Sequence, residues 1–238
     1  MFELNAKGGW IVPAGTKIAA GTKIPAHSQL GNRCTLGNWC TLGDGCTLGD
    51  GCTLGDSCTL GNRCTLGDGC TLGDSCALGN ECTLGDWCKL GDSCTLGDSC
   101  KLGDWCTLGN GCTLGNGCTL GNGCKLGNGC KLGNGCTLGD RCTLGDWCTL
   151  GSGCKLGNGC KLGDGCRLEG LIAKRWLTLA NVDGSGRQIL IVTDGKETKV
   201  RAGCFIGTAD QFVRKAQAKG KHIYAAVIPA VVAALLTQ

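Results

Sequence analysis

Twenty-four cysteines and two histidines, His27 and His222, are the residues of this 238-residue chain best equipped for chemistry. Thiols could pair as disulfides, ligate a soft metal or act as nucleophiles. From Cys34 to Cys166 a Cys recurs every six residues, 23 times. Disulfide scaffolds carry uneven spacings that follow their loops, and this spacing is constant. Zinc clusters need convergent thiolates at short C-x-x-C-type spacings, and no His or carboxylate shares the cysteine positions. A general base needs reach and company. His27 sits at a degenerate N-terminal position of the same periodic pattern, and His222 lies outside it. There is no Ser-His-Asp constellation and no phosphate loop; Gly184-Ser185-Gly186 reads as a hairpin turn. No catalytic, cofactor-binding or metal-ligating residue is assigned from the sequence.

The cysteines belong to a repeat, C-[TK]-L-G-[DN]-x. Leu recurs every six residues from Leu30 to Leu168 without a miss. Val12, Ile18 and Ile24 extend the Leu phase backwards, and Thr16, Thr22 and Ser28 extend the Cys phase, giving 26 hexads from Val12 to Arg167. A period of six fits no helix, but it suits a strand of about three residues and a corner of about three. In C-T-L the side chains alternate, so Cys and Leu share one face and Thr or Lys takes the other. The segment G-[DN]-x is turn chemistry, since Gly, Asn and Asp tolerate positive φ. One strand this short buries nothing alone. Parallel stacking closes the hydrogen-bond ladder and builds a continuous Leu/Cys interior.

This pattern resembles the hexapeptide repeat over residues 12 to about 170. The resemblance implies an all-β solenoid, a left-handed parallel β-helix of triangular section with three hexads per coil, hence between eight and nine coils here. At about 4.8 Å per stacked strand the rod is roughly 40 Å long. Equivalent Cys would then lie about 4.8 Å apart, wider than the roughly 3.8 Å Cβ separation of a disulfide. The expectation is a dry ladder of free thiols acting as small hydrophobes, made in a reducing compartment.

Outside the rod, the position before Leu gives columns of Thr interrupted by Lys, such as Thr35, Thr53, Thr71, Lys89, Thr107 and Lys125. Thr stacks well on itself in strands. Ice-binding β-helices display paired Thr columns without charge, which these are not. One corner column reads Asn32, Asp50, Asp68, Asp86, Asp104, Asn122. It offers too few oxygens for calcium and reads as solvated turn carboxylates. The sixth hexad position is mostly Gly or Ser, with bulky exceptions. Trp39 and Trp147 fall on one edge; Trp87 and Trp105 fall on another, one coil apart, in a column that also holds Arg33 and Arg141. These six residues are the candidate interaction surface, because Trp and Arg are enriched where proteins are gripped.

Residues 1–11 are expected to cover one end of the rod, and residues 171–238 form a small α+β domain for capping, oligomerisation or binding. In that domain WLTLANV, RQILIVT and ETKVRAGCF read as three strands joined by DGSG and DGK turns. Thr208 and Gln211 resemble a capping box opening a helix to about Ala218. A second helix runs from about Ile223 to Leu236, kinked or split by Pro229. The tail is vaguely similar to those of repeat proteins encoded by phages and prophages.

A net charge of +4 demands neither nucleic acid nor membrane. The most apolar segment is shorter than the roughly 20 residues that span a bilayer, and residues 1–30 show no signal peptide. These features point to the cytoplasm, or a host's cytoplasm if the chain is phage-encoded. Most hexapeptide-repeat chains of known chemistry resemble trimeric acyltransferases with a catalytic His and a loop interrupting the repeat. This chain has neither feature in place. The reading is therefore a non-catalytic, homo-oligomeric structural or interaction scaffold that takes no cofactor. The alternatives are a phage-type binder that sequesters a small anionic host ligand or blocks a host protein, and an acyltransferase.

Overall fold

The computed structural model describes residues 2–157, 159–163, 166–168, 171–172, 175–180, 188–193, 197–202 and 205–237. It divides into two compact units, Met1–Gly163 and Asp164–Gln238.

In the first unit each hexad supplies one short strand, centred on the Thr-Leu or Lys-Leu pair. Strands three hexads apart pair in parallel, so Thr65 lies in register with Thr47 on one side and Thr83 on the other. Three sheets result. One runs from Trp10–Val12 to Lys155–Leu156 and carries an antiparallel strand, Glu3–Leu4, on its first edge. A 9-stranded sheet runs from Lys17–Ile18 to Lys161–Leu162, and the third climbs from Lys23–Ile24 through Thr149–Leu150. The coil is therefore three-sided and 18 residues long, a parallel β-helix as the resemblance to the hexapeptide repeat implies. Leu and Cys point inward together; Cys34 to Cys154 are fully buried and the Thr or Lys between them is exposed, save the half-buried Thr137 and Thr143.

The hexad's residue types follow from where each backbone group finds a partner. The Thr or Lys N–H donates to the Cys carbonyl one coil back, and the Gly N–H to the Leu carbonyl, as Thr65 to Cys46 and Gly67 to Leu48. The sixth residue donates forward, as Gly69 does to the Asp86 carbonyl. The Asp or Asn N–H instead meets the side chain below it: Asp86 N–H donates to Asp68 Oδ1 at 2.8 Å and Asp104 N–H to Asp86 Oδ1 at 2.7 Å. The corner column is thus a ladder of acceptors as well as a solvated edge. The Gly carbonyl meets the thiol above it, with Sγ–O distances of 3.2 to 3.4 Å along the rod.

The cysteines from Cys34 to Cys160 are therefore more than small hydrophobes; each is a weak donor to the carbonyl 21 residues back. All the described ones are free thiols. Cys94→Ala, which strips the donor from the Gly73 carbonyl, should destabilise the rod by about 1–3 kcal/mol. Cys94→Ser should cost less than Cys94→Ala, because it keeps a donor at this position, although the first-coil hydroxyl Ser28 turns its donor to Pro25 O three residues back rather than to a carbonyl 21 residues back as Cys94 does. Urea denaturation midpoints of the two variants check this.

The corner differs from the expectation in one respect. Positive φ falls on the sixth position, not on the Gly or the Asp/Asn: Gly45, Gly51 and Gly69 lie at +65°, and Arg33, Trp39, Ser57 and Glu81 at 57–59°. The fourth-position Gly is required by close approach instead. A Cβ at Gly85 would lie 2.8 Å from both Asp68 N and Gly67 C in the coil beneath. Pro13, Ala19 and Pro25 hold the same position in the first coil, where no coil lies beneath.

The second unit holds a sheet with four antiparallel strands rather than three: Arg175–Ala180, Gln188–Thr193, Thr198–Ala202 and Phe205–Thr208. The segment read as one strand, ETKVRAGCF, folds back on itself, with Ala202 opposite Phe205. The residues that join the two strands, 203–204, lie outside the described residues. The DGSG and DGK turns lie outside the described residues. Helix Ala209–Ala218 begins at the expected capping box, Thr208 with Gln211. Helix His222–Thr237 continues through Pro229. Its Tyr224 and Ile228 are buried with Ile189, Ile191, Val200 and Phe212, so its apolar face packs on the sheet and the first helix. Among the described residues no helix is long and apolar enough to cross a membrane.

Candidate functional site

Side chains at the sixth position share a direction. The His27 ring would meet a Cβ at Gly45, Arg33 approaches Gly51, Ser93 approaches Gly111, and Arg63 reaches Glu81 at 3.1 Å. Each leans over the equivalent residue one coil on. Trp105 obeys this rule: its ring lies over Gly123, where a Cβ would come within 2.5 Å of it. Trp87 leans over Trp105, and their rings stack at 5.6 Å between centroids and 12° between planes. The backbone fixes both residues, with Trp87 N–H on Asp104 O and Trp105 N–H on Asn122 O.

Both tryptophans sit at φ +61°. A left-handed conformation costs a residue with a Cβ about 1–2 kcal/mol. Gly51, Gly69 and Gly123 occupy the same column at φ +65 to +66° without that strain. The pair is only partly offset by its own stacking, worth about 0.5–1.5 kcal/mol. Trp87 remains 60 % and Trp105 44 % exposed. The coil therefore has no need of them.

The tryptophans border a groove of about 540 Å³ on the sheet face that follows them in the chain. Thr71, Lys89, Thr107 and Lys125 line it, with Gly69 and Gly123 at its two ends. These four face residues are consecutive rungs of one sheet. Neither lysine is engaged in an ion pair among the described residues.

The structure assembles only part of the expected surface. Trp87 and Trp105 come together. Arg33 and Arg141 share their column but are separated from them by Gly51 and Gly69 on one side and by Gly123 on the other. Trp39 and Trp147 stand on a different edge, 108 residues and hence six coils apart, each about two-thirds exposed. Lys89 and Lys125 were not anticipated as site residues. Their signal is positional, because a residue two after the corner lies on the adjoining face and repeats every 18. His27 lies in the first coil with its carbonyl accepting from Asn5 Nδ2 at 2.7 Å, and His222 opens the second helix of the other unit. Among the described residues no group of three or more His, Cys, Asp or Glu could hold a metal ion.

Coil and repeat define the class, a parallel β-helix built of hexapeptide repeats. Residues 106–140 and 135–170 match the family model described as bacterial transferase hexapeptide (six repeats). Residues 11–110 match the model for the GMPPB C-terminal domain. No curated protein and no solved structure matches the chain.

Proposed function

We propose that the chain is a non-catalytic repeat protein that acts as a rigid structural or interaction scaffold and assembles as a homo-oligomer. One observation carries this reading: strands follow one another at six-residue intervals from Lys17–Ile18 to Lys161–Leu162, and among the described residues of these coils no inserted loop projects to wall a reaction cleft. The side-chain ladders that tie corner to corner from Asn32 to Ser152 suit a stiff support. Native mass spectrometry of the full chain should show one discrete copy number above one. A monomer at every concentration overturns the assembly.

The exposed Trp pair favours a second reading, a binding protein, including the phage-type binder of a host ligand or partner. Trp87→Ala with Trp105→Ala should leave the copy number unchanged if these rings serve a ligand, and dissolve the oligomer if they join rods. A match to a repeat named for transferases also keeps acyl transfer in view. With acetyl-coenzyme A and a mixture of amino sugars as acceptors, release of coenzyme A followed by mass spectrometry should stay at the protein-free rate. Turnover that depends on the protein overturns the non-catalytic reading.

A further inference from the structure

We propose that the Trp87 edge is a binding site for a compact planar aromatic ring carrying an anionic group, the ring completing the indole stack above Gly69 and the anion meeting Lys89. The inference does not rest on the scaffold reading and holds whether or not the rod also assembles.

The lean of the sixth-position side chains sets the geometry. Trp105 lies over Gly123 and Trp87 over Trp105, so the second face of Trp87 is turned toward the preceding coil. At that coil the column holds Gly69, and a Cβ there would find nothing within 4 Å. The stack is one rung short at the place where a third ring would have an indole wall ready for it. Aromatic rings take such offset-stacked partners readily.

Charge selects among planar ligands. Lys89 and Thr71 border the same end of the groove, and Lys125 lies two rungs farther on. An anionic substituent on a ring over Gly69 gains a cation and a hydroxyl donor there. The acidic column beside the tryptophans disfavours a long polyanion draped across the edge. Asp68 and Asp86 are each fixed at the corner by accepting the next coil's N–H, and neither lines the groove. A small ring that keeps its charge on the lysine side avoids them. The groove's 540 Å³ suits a ligand of that size.

The test uses the full chain and ligand-observed NMR titration with three probes: adenosine 5′-monophosphate, indole-3-acetate and neutral adenosine. At least one anionic probe should bind, more tightly than adenosine, and the tighter of the two anions tells a phosphate source from a carboxylate one. Raising the salt should weaken binding. Gly69→Trp should weaken it about tenfold or more, because the new indole fills the missing rung; the fold tolerates Trp at this position, as Trp87 and Trp105 show. Lys89→Gln, on the exposed face, should weaken the anionic probe several-fold and leave adenosine unchanged. Failure of all three probes to bind at millimolar concentration, adenosine binding as tightly as the anions, or full binding by a folded Gly69→Trp variant overturns the proposal. Should Gly69→Trp not fold, undiminished anion binding by Lys89→Gln overturns it alone.

Discussion

Gly85→Ala should lower the stability of the rod by about 3 kcal/mol or more, a large effect for one added methyl group. Its Cβ would press on Gly67 C and Asp68 N at 2.8 Å and on Asp68 Oδ1. The carboxylate can swing away, but the two backbone atoms are held by the ladder and can yield only if the coils separate. Separation weakens the Gly85–Leu66 hydrogen bond and opens the Leu interior at that level. Gly129→Ala is the informative partner. Gly129 lies at φ +68° with open space around its Cβ position, so alanine there meets only the left-handed strain, about 1 kcal/mol. If positive φ were the reason for the fourth-position Gly, Gly129→Ala would be the more harmful of the two. Equal urea midpoints, or the reverse order, would contradict the close-packing account.

Alkali should unfold the rod well before it affects an ordinary β-sheet protein. Burial pushes the Cys34 and Cys40 thiols above their usual range, and for Cys52 and Cys58 the neighbouring thiols Cys70 and Cys76 push further still, with burial adding to it. In the unfolded chain such thiols ionise near 8.5. Below that pH both states hold the proton and stability is complete. Above it the unfolded state loses protons that the folded state keeps, so unfolding becomes easier as pH rises toward the folded-state values. Each such thiol contributes a slope of about 1.4 kcal/mol per pH unit. The slopes of such thiols add, so a few of them weigh against the stability of a small domain. Melting followed by circular dichroism should be flat from pH 6 to 8 and fall steeply by about pH 10. A thiol reagent at neutral pH should leave the ladder unlabelled until the chain unfolds. A melting temperature unchanged at pH 11, or rapid labelling of most cysteines at pH 7.5, would count decisively against a sealed thiol interior.

The hexad made much of this legible. A strict alternation of Cys, Thr and Leu fixes which side chains are inside, and strands too short to stand alone must stack. What it hid are relations between coils. The corner reads G-[DN]-x, three residue types that all suit turns, so nothing local tells which of them takes positive φ. The reason for the Gly lies 17 and 18 residues earlier, in the chain it nearly touches. A signal for it existed in Pro13, Ala19 and Pro25, the exceptions confined to the first coil. Likewise the thiol's acceptor is 21 residues back, as Gly31 is for Cys52. The Trp pair was visible as a column at intervals of 18, whereas the groove needed the adjoining face, where Lys89 and Lys125 look like ordinary solvated charges. In the C-terminal unit one β-prone run read as a single strand concealed two paired ones, Thr198–Ala202 and Phe205–Thr208.

Pro13, Ala19 and Pro25 also give the solenoid a direction of growth. Their side-chain carbons point where a preceding turn would have to close in, and Glu3–Leu4 already lies along one of the three sheets. Another molecule's last turn cannot seat itself closely under this one and splice two molecules into a fibre, although the edges of Lys17–Ile18 and Lys23–Ile24 would otherwise invite it. The glycines that let turns nest are thus withheld at the one level where nesting would be polymerisation.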